Sequence, residues 1–229
     1  SDRHGGMSKP PYDSLNISYH VGDEQKLVKR NREIIKEKLG CTHILSARQV
    51  HGDRVFCLET ALEENLEVDG YDALISRQKG VGLLIQQADC QGVLLYDPVN
   101  EVIGAVHCGW KGSVAEILVK TVAEMKEKFS SAPENIMATI SPSLGSCCAE
   151  FINYRQELPE SFLQFKIGEA HFDFWQISRQ QLLDCGLQNE AISVVGKCTS
   201  CSKDFFSYRR AKRNGREKTG RNCSVIMLR

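Results

Sequence analysis

The 229-residue sequence lacks an excess of charge of either sign, since 29 Lys and Arg offset 29 Asp and Glu for a formal charge of zero. A neutral chain exerts no long-range pull on nucleic acid or on an anionic membrane, so neither is expected as a partner. Long apolar runs are missing too. The longest, at residues 81–85 and 93–96, are far too short to span a bilayer. No basic leader followed by an apolar stretch opens the chain, which points to a cytoplasmic protein. Repeats, low-complexity segments and linkers are absent, so one domain over residues 1–229 is the simplest organisation. Histidine is scarce at six residues, and that scarcity bears on metal chemistry.

Cysteine, by contrast, is plentiful at ten residues. Disulfide density belongs to small secreted domains that cannot bury a core. This chain is long and 41% hydrophobic, with an ordinary 25% of charged residues. Cys57 and Cys223 sit in apolar, strand-like runs where a reduced Cys serves as a small core residue. A reducing environment is expected. The Cys198-x-x-Cys201 pair resembles half of a zinc ribbon, yet no second pair sits at ribbon spacing, and the adjacent Cys147 and Cys148 cannot readily bridge each other.

After a loop rich in Gly, Pro, Ser and Asn, Asp23 reads as an N-cap. Leu27, Val28, Ile34, Ile35 and Leu39 then recur at helical spacing until Gly40. From residue 44 to 107 the apolar segments are short and β-branched, and Asp97-Pro98 with Asn100 marks a hairpin turn between the last two. Ser113 and Glu116 form a capping-box pattern before a helix that presents Ile117, Leu118, Thr121, Val122 and Met125 on one face. A strand over 136–140, a helix over 176–185 and strands near 192–195, 205–208 and 224–228 complete the pattern. Strands outnumber helices and cluster rather than alternate, so an α+β fold is predicted.

Three short stretches carry the candidate chemistry. Arg48-Gln49-Val50-His51-Gly52 ends an apolar run with a His before Gly. Gln87-Ala88-Asp89-Cys90 ends a buried-looking strand with a carboxylate beside a thiol. Val106-His107-Cys108-Gly109-Trp110-Lys111-Gly112 places a His at a strand end before glycines that lead into a helix. Two imidazoles and one thiolate suit a catalytic zinc, which takes three protein ligands and leaves a fourth position open. Asp89 is then expected to accept a hydrogen bond from one of the ligands and so orient it. The basic cluster between Arg209 and Arg221 reads as a solvated loop or a phosphate holder.

In this order, the three stretches resemble the YfiH-like family, which is also catalogued as polyphenol oxidase, laccase-domain or purine nucleoside phosphorylase proteins. The resemblance extends to Arg3-His4-Gly5-Gly6-Met7-Ser8, Asn16, His20-Val21-Gly22-Asp23, Asn31-Arg32, Ser141-Pro142-Ser143-Leu144-Gly145, Cys198-Thr199, residues 205–210 and Thr219-Gly220-Arg221. It implies a layered α/β/β/α domain with mixed sheets. It implies His51, Cys90 and His107 as metal ligands and catalytic residues, with zinc as the cofactor and copper as the alternative. Departures from the family pattern are Lys111 for Arg, Gln87 for Thr, Ser141 for Gly, and an extra thiol at Cys108 that competes with Cys90 for ligation.

The activity implied by the resemblance is phosphorolysis of inosine, adenosine, guanosine or methylthioadenosine, together with deamination of adenosine. The partners are then purine nucleosides and phosphate, and the chain is a monomer or a homodimer. Deamination needs a water activated by zinc and a carboxylate to carry the proton, and Asp89 is nearest in sequence. Phosphorolysis needs donors for phosphate and for ribose hydroxyls. By motif position the candidates are Arg3, Asn16, Arg32 and Arg48. A laccase-like polyphenol oxidase is the alternative, but a multicopper centre uses more imidazoles than the six present. A metal-free hydrolase with Cys90 as nucleophile and His107 or His51 as base is the third reading.

Overall fold

Alternating apolar side chains along short strands create two sheets, each needing cover on both faces. A computed structural model describes all 229 residues. In chain order, α1 (Gln25–Leu39) precedes β1 (His43–Arg48), β2 (Val55–Leu58), β3 (Leu66–Asp69), β4 (Ala73–Ser76), β5 (Val81–Gln87), β6 (Gln91–Asp97) and β7 (Val102–Cys108). Then come α2 (Trp110–Val114), α3 (Ile117–Phe129), β8 (Met137–Ile140), α4 (Tyr154–Glu157), β9 (Lys166–Ile167) and β10 (His171–Phe172). α5 (Phe174–Asp184), β11 (Ile192–Val194), α6 (Tyr208–Arg213) and β12 (Asn222–Met227) follow.

Of the two main sheets, the smaller runs β12-β5-β1-β3 and the larger β11-β8-β6-β7-β4-β2, and β9 and β10 form a separate two-stranded pair. Both main sheets are mixed. β1 is parallel to β3 and β5 while β12 is antiparallel to β5. In the larger sheet β6 and β7 form an antiparallel hairpin, and β2 and β11 join in parallel.

Strand alternation sets the layers. Leu83 and Ile85 of β5 share a buried cluster with Leu74 of β4 and Ile103 and Ala105 of β7, which is the seam between the sheets. Leu84, between them in sequence, points the other way and packs with Ile35 of α1 and Ile44 of β1. The outer face of the large sheet, with Ala73, Ile75, Val93 and Val106, meets Ile117, Leu118, Val122 and Met125 of α3 and Leu182 of α5. Each fully buried Leu or Ile in these clusters contributes roughly 1.5–3 kcal/mol. The order is therefore helix, sheet, sheet, helix, the α/β/β/α layering expected. Gly104 lets α3 approach, because a Cβ there would stand 3.3 Å from Leu95 and 3.5 Å from the Met125 sulfur. No helix is long and apolar enough to cross a membrane.

Local readings differ in three places. The residue at the start of α1 is Glu24 rather than Asp23, whose carboxylate instead accepts from the Glu24 N–H. The Ser113/Glu116 pair does not cap a helix. Ser113 lies buried inside α2 and donates to the Gly109 carbonyl, and Glu116 turns into the left-handed region at φ 59°, breaking the helix in two. Residues 205–208 are not a strand, because the Ser207 hydroxyl accepts from the Arg210 N–H and starts α6.

Candidate metal centre

Residues 88–90 carry the chain from β5 of the small sheet to β6 of the large one, so Cys90 sits where the two sheets open apart. His107 lies at the end of β7 and His51 in the turn after β1. The donor atoms of His51, Cys90 and His107 all lie within 4.8 Å of one another. The two imidazoles meet edge-on with centroids 4.8 Å apart. His51 holds φ at 61°, a left-handed conformation that is costly for a residue with a Cβ. What holds it there is Asp72, which accepts from the N–H groups of Val50, His51 and Gly52 at 3.1, 2.9 and 2.8 Å.

Asp72 is fully buried and precedes β4, whose register pairs Ala73 with Val106. Register therefore sets Asp72 opposite His107, and its Oδ1 stands 2.8 Å from His107 Nδ1. A carboxylate on Nδ1 fixes the proton there and frees Nε2 to ligate. Asp89, expected in that role, lines the cavity at these donors, but its carboxylate is engaged by other groups. Its two oxygens accept from Thr199 Oγ1 at 2.7 Å and the Arg209 N–H at 2.6 Å, so it ties loops behind Cys90. Asp72 carries no local signal in sequence; only the pairing of β4 with β7 reveals it.

The electrostatics suit a thiolate. Poor hydration pushes the Cys90 thiol up, but His107 and His51 outweigh that and bring it down to about 6. Burial lowers the His107 imidazole, yet Cys90 and Asp72 raise it to about 9. Cys108 does not compete, because strand alternation turns it into the helix-side core, where burial pushes its thiol up to about 11. Gly109 is required by contact. A Cβ there would stand 3.0 Å from Cys90 Sγ and 3.2 Å from His51 Cδ2. One soft thiolate and two imidazoles, one of them oriented by a carboxylate, are a donor set that fits a single zinc ion.

A cavity of about 800 Å³ opens onto these donors. Arg48, Arg209 and Arg221 line it, together with Phe151, Tyr208 and His20. Among the four substrate-binding candidates, only Arg48 lines it. Arg3 pairs with Asp13 at 2.8 Å and covers the Phe206 ring. Asn16 is fully buried and bonds Ser18, Asp23 and the Arg221 N–H. Arg32 pairs with Glu67 at 2.6 Å under the small sheet. These three hold the chain in place, while the basic cluster read as a loop supplies Arg209 and Arg221 to the cavity.

The family described as multi-copper polyphenol oxidoreductase laccase matches residues 1–229. The chain belongs to that family. It is 34% identical to the purine nucleoside phosphorylase YlmD of Bacillus subtilis, over 98% of this chain and 85% of that protein. It is also 34% identical to the purine nucleoside phosphorylase YfiH of Escherichia coli, over all of this chain and 92% of that one. Among solved structures, the hypothetical protein YfiH of Bacillus licheniformis superposes with a TM-score of 0.90 at 31% identity, covering 100% of this chain and 91% of that one. YlmD of Geobacillus stearothermophilus superposes at 0.88, also at 31% identity, covering 100% and 90%.

Proposed function

We propose that residues 1–229 form a zinc-dependent purine nucleoside enzyme. It phosphorolyses inosine, adenosine, guanosine or methylthioadenosine to free base and sugar 1-phosphate, and it deaminates adenosine. The observation that carries the reading is a mononuclear His51–Cys90–His107 donor set opening onto a cavity lined by three guanidinium groups. Relatives named purine nucleoside phosphorylase support the substrate class.

A zinc ion held there supplies a Lewis acid in a sheltered cleft. The side chains supply binding and proton handling. Asp72 keeps the His107 proton on Nδ1, so the ring presents Nε2 to the cleft. Arg48, Arg209 and Arg221 attract phosphate, the nucleophile whose oxygen bonds C1′ as the glycosidic C–N bond breaks and the purine leaves with the electron pair. Phe151 and Tyr208 are the aromatic side chains we assign to contact with the flat base. Glu150 lines the same cavity and is the carboxylate we assign to proton transfer, since Asp89 is held by Thr199 and Arg209.

One observation favours a second reading. Asp72, His107 and Cys90 form a carboxylate–imidazole–thiol series, and the lowered thiol suits a metal-free nucleophile. That series leaves His51 without a role, whereas a metal centre uses it.

Turnover of adenosine and inosine by zinc-loaded protein, with and without phosphate, tests the proposal. Phosphate-dependent release of adenine or hypoxanthine, and ammonia loss from adenosine, are expected, and Cys90→Ala abolishes both together with zinc binding at the His51–Cys90–His107 donors. Full activity in stripped protein would favour the thiol reading. No turnover under either condition, with zinc bound, would overturn the proposed function.

A further inference from the structure

We propose that the chain carries a second metal site, a structural tetrathiolate zinc centre formed by Cys147, Cys148, Cys198 and Cys201. None of these residues lines the cavity of the first centre. Their four sulfurs lie within 4.8 Å of one another, with Cys201 Sγ 3.6 Å from both Cys147 Sγ and Cys148 Sγ. No disulfide joins any of them. Sulfurs at the corners of a tetrahedron with zinc–sulfur bonds of about 2.3 Å stand about 3.8 Å apart, so the cluster has nearly the dimensions a zinc ion imposes. Four thiolates close the coordination shell, as structural sites do, and leave no position for substrate. Soft sulfur donors favour zinc over magnesium or calcium.

The surrounding backbone is built to hold the four thiols. Ser143 and Cys198 form a parallel bridge, with the Ser143 N–H donating to the Lys197 carbonyl and the Thr199 N–H to that of Ser143. The Arg210 guanidinium donates to the carbonyls of Thr199, Ser200, Ser202 and Phe205, wrapping the Cys198–Cys201 loop around one cation. Gly145 keeps the approach open, because a Cβ there would stand 3.0 Å from Cys198 Cβ and 3.4 Å from Cys147 Sγ. Arg213 donates to Cys148 Sγ at 3.6 Å and offsets part of the two negative charges that zinc with four thiolates retains. Binding releases the four thiol protons to solvent and changes no oxidation state.

The ion would tie two loops that reach the first centre. Thr199 holds Asp89, the neighbour of Cys90, and the Leu144 N–H donates to the Asp89 carbonyl. Ala149 and Glu150, just after Cys148, line the cavity. The tetrathiolate centre is thus a staple behind the cavity wall, and its residues are positioning residues.

Zinc content under reducing conditions tests this, with Cys90→Ala removing the thiolate of the first centre. Wild-type protein is expected to hold two zinc per chain and Cys90→Ala one. Cobalt loaded into Cys90→Ala should show a tetrahedral sulfur-ligated spectrum. Cys198→Ser with Cys201→Ser should hold only the other zinc, and the combined variant none. If the paired serine variant fails to fold, X-ray absorption of zinc-loaded wild type decides the matter. An average of more than two sulfurs per zinc supports the site; an average of one overturns it. Cys90→Ala protein without zinc, or a mass lower by two hydrogens for each bridged pair, would also overturn it. Because Cys90→Ala disables the first centre, zinc retained by that variant reads the four thiols alone, independently of the purine reading.

Discussion

Replacing Asp72 by Asn changes one atom type and keeps the volume, so its effects report hydrogen bonding and charge. Asp72 accepts four bonds, from Val50, His51 and Gly52 N–H and from His107 Nδ1. In the Asp72→Asn variant one of the two acceptor positions becomes an amide donor, which faces either Val50 and Gly52 or His51 and His107. Two bonds to a buried charged acceptor are lost, at about 1.5–3 kcal/mol each, for about 3–6 kcal/mol in all. An amide N–H against His107 also favours the tautomer with its proton on Nε2, which cannot ligate. Zinc affinity is therefore expected to fall roughly 10- to 100-fold. Urea unfolding of metal-free protein measures the first loss, and competition against a chromophoric chelator measures the second. Asp89→Asn, which touches no donor, should leave affinity within a few-fold of wild type. An Asp72→Asn protein of wild-type affinity would refute the orienting role, even if its stability fell.

Gly109→Ala should weaken zinc binding with little change in unfolding midpoint, because its φ of −80° suits Ala while the new Cβ presses on Cys90 Sγ and His51; chelator competition reads the change. Arg221→Ala should raise the KM for phosphate roughly 10- to 100-fold, the loss of one charge-assisted bond, in steady-state assays at saturating nucleoside. Burial raises the Glu67 carboxyl, but Arg32 and the hydrogen bonds from His20, Arg32 and Ser46 outweigh that and hold it below its usual range. Its contribution to stability is complete above the unfolded carboxylate value of about 4.3 and disappears as pH falls through the lower folded value. Glu67→Gln should thus unfold at lower urea than wild type at neutral pH, with the gap closing in acid.

Residue patterns disclose the strands and helices, the family resemblance implies their layering and the candidate donors, and neither reveals what supports those donors. The apolar periodicity of residues 81–85 and 117–125 points to strand and helix because burial itself imposes that spacing. His51, Cys90 and His107 are legible as polar residues that interrupt apolar runs at strand ends. Asp72 is not legible, since its partner is 35 residues away and is set by sheet register. The Cys198–Cys201 pair looks incomplete by spacing because its complement is an adjacent pair some fifty residues earlier, brought close by the bridge at Ser143. The Ser113/Glu116 pattern misleads because tertiary packing buries Ser113 and turns Glu116 left-handed. Phe205 and Phe206 suggest a strand by propensity, and the hydroxyl of Ser207 overrides it.

The three donors stand at unequal depths: His107 is 2% exposed, Cys90 is half-buried and His51 faces solvent. For a metal held by these donors, that gradient would separate the rate of exchange from the strength of holding. An ion entering or leaving would pass His51, whose turn hangs on three backbone bonds to one carboxylate. Loosening that turn speeds loading and release together. The deeper thiolate and imidazole would keep most of the grip, so a chain altered at Val50 or Gly52, with His51 kept, would exchange quickly while still binding.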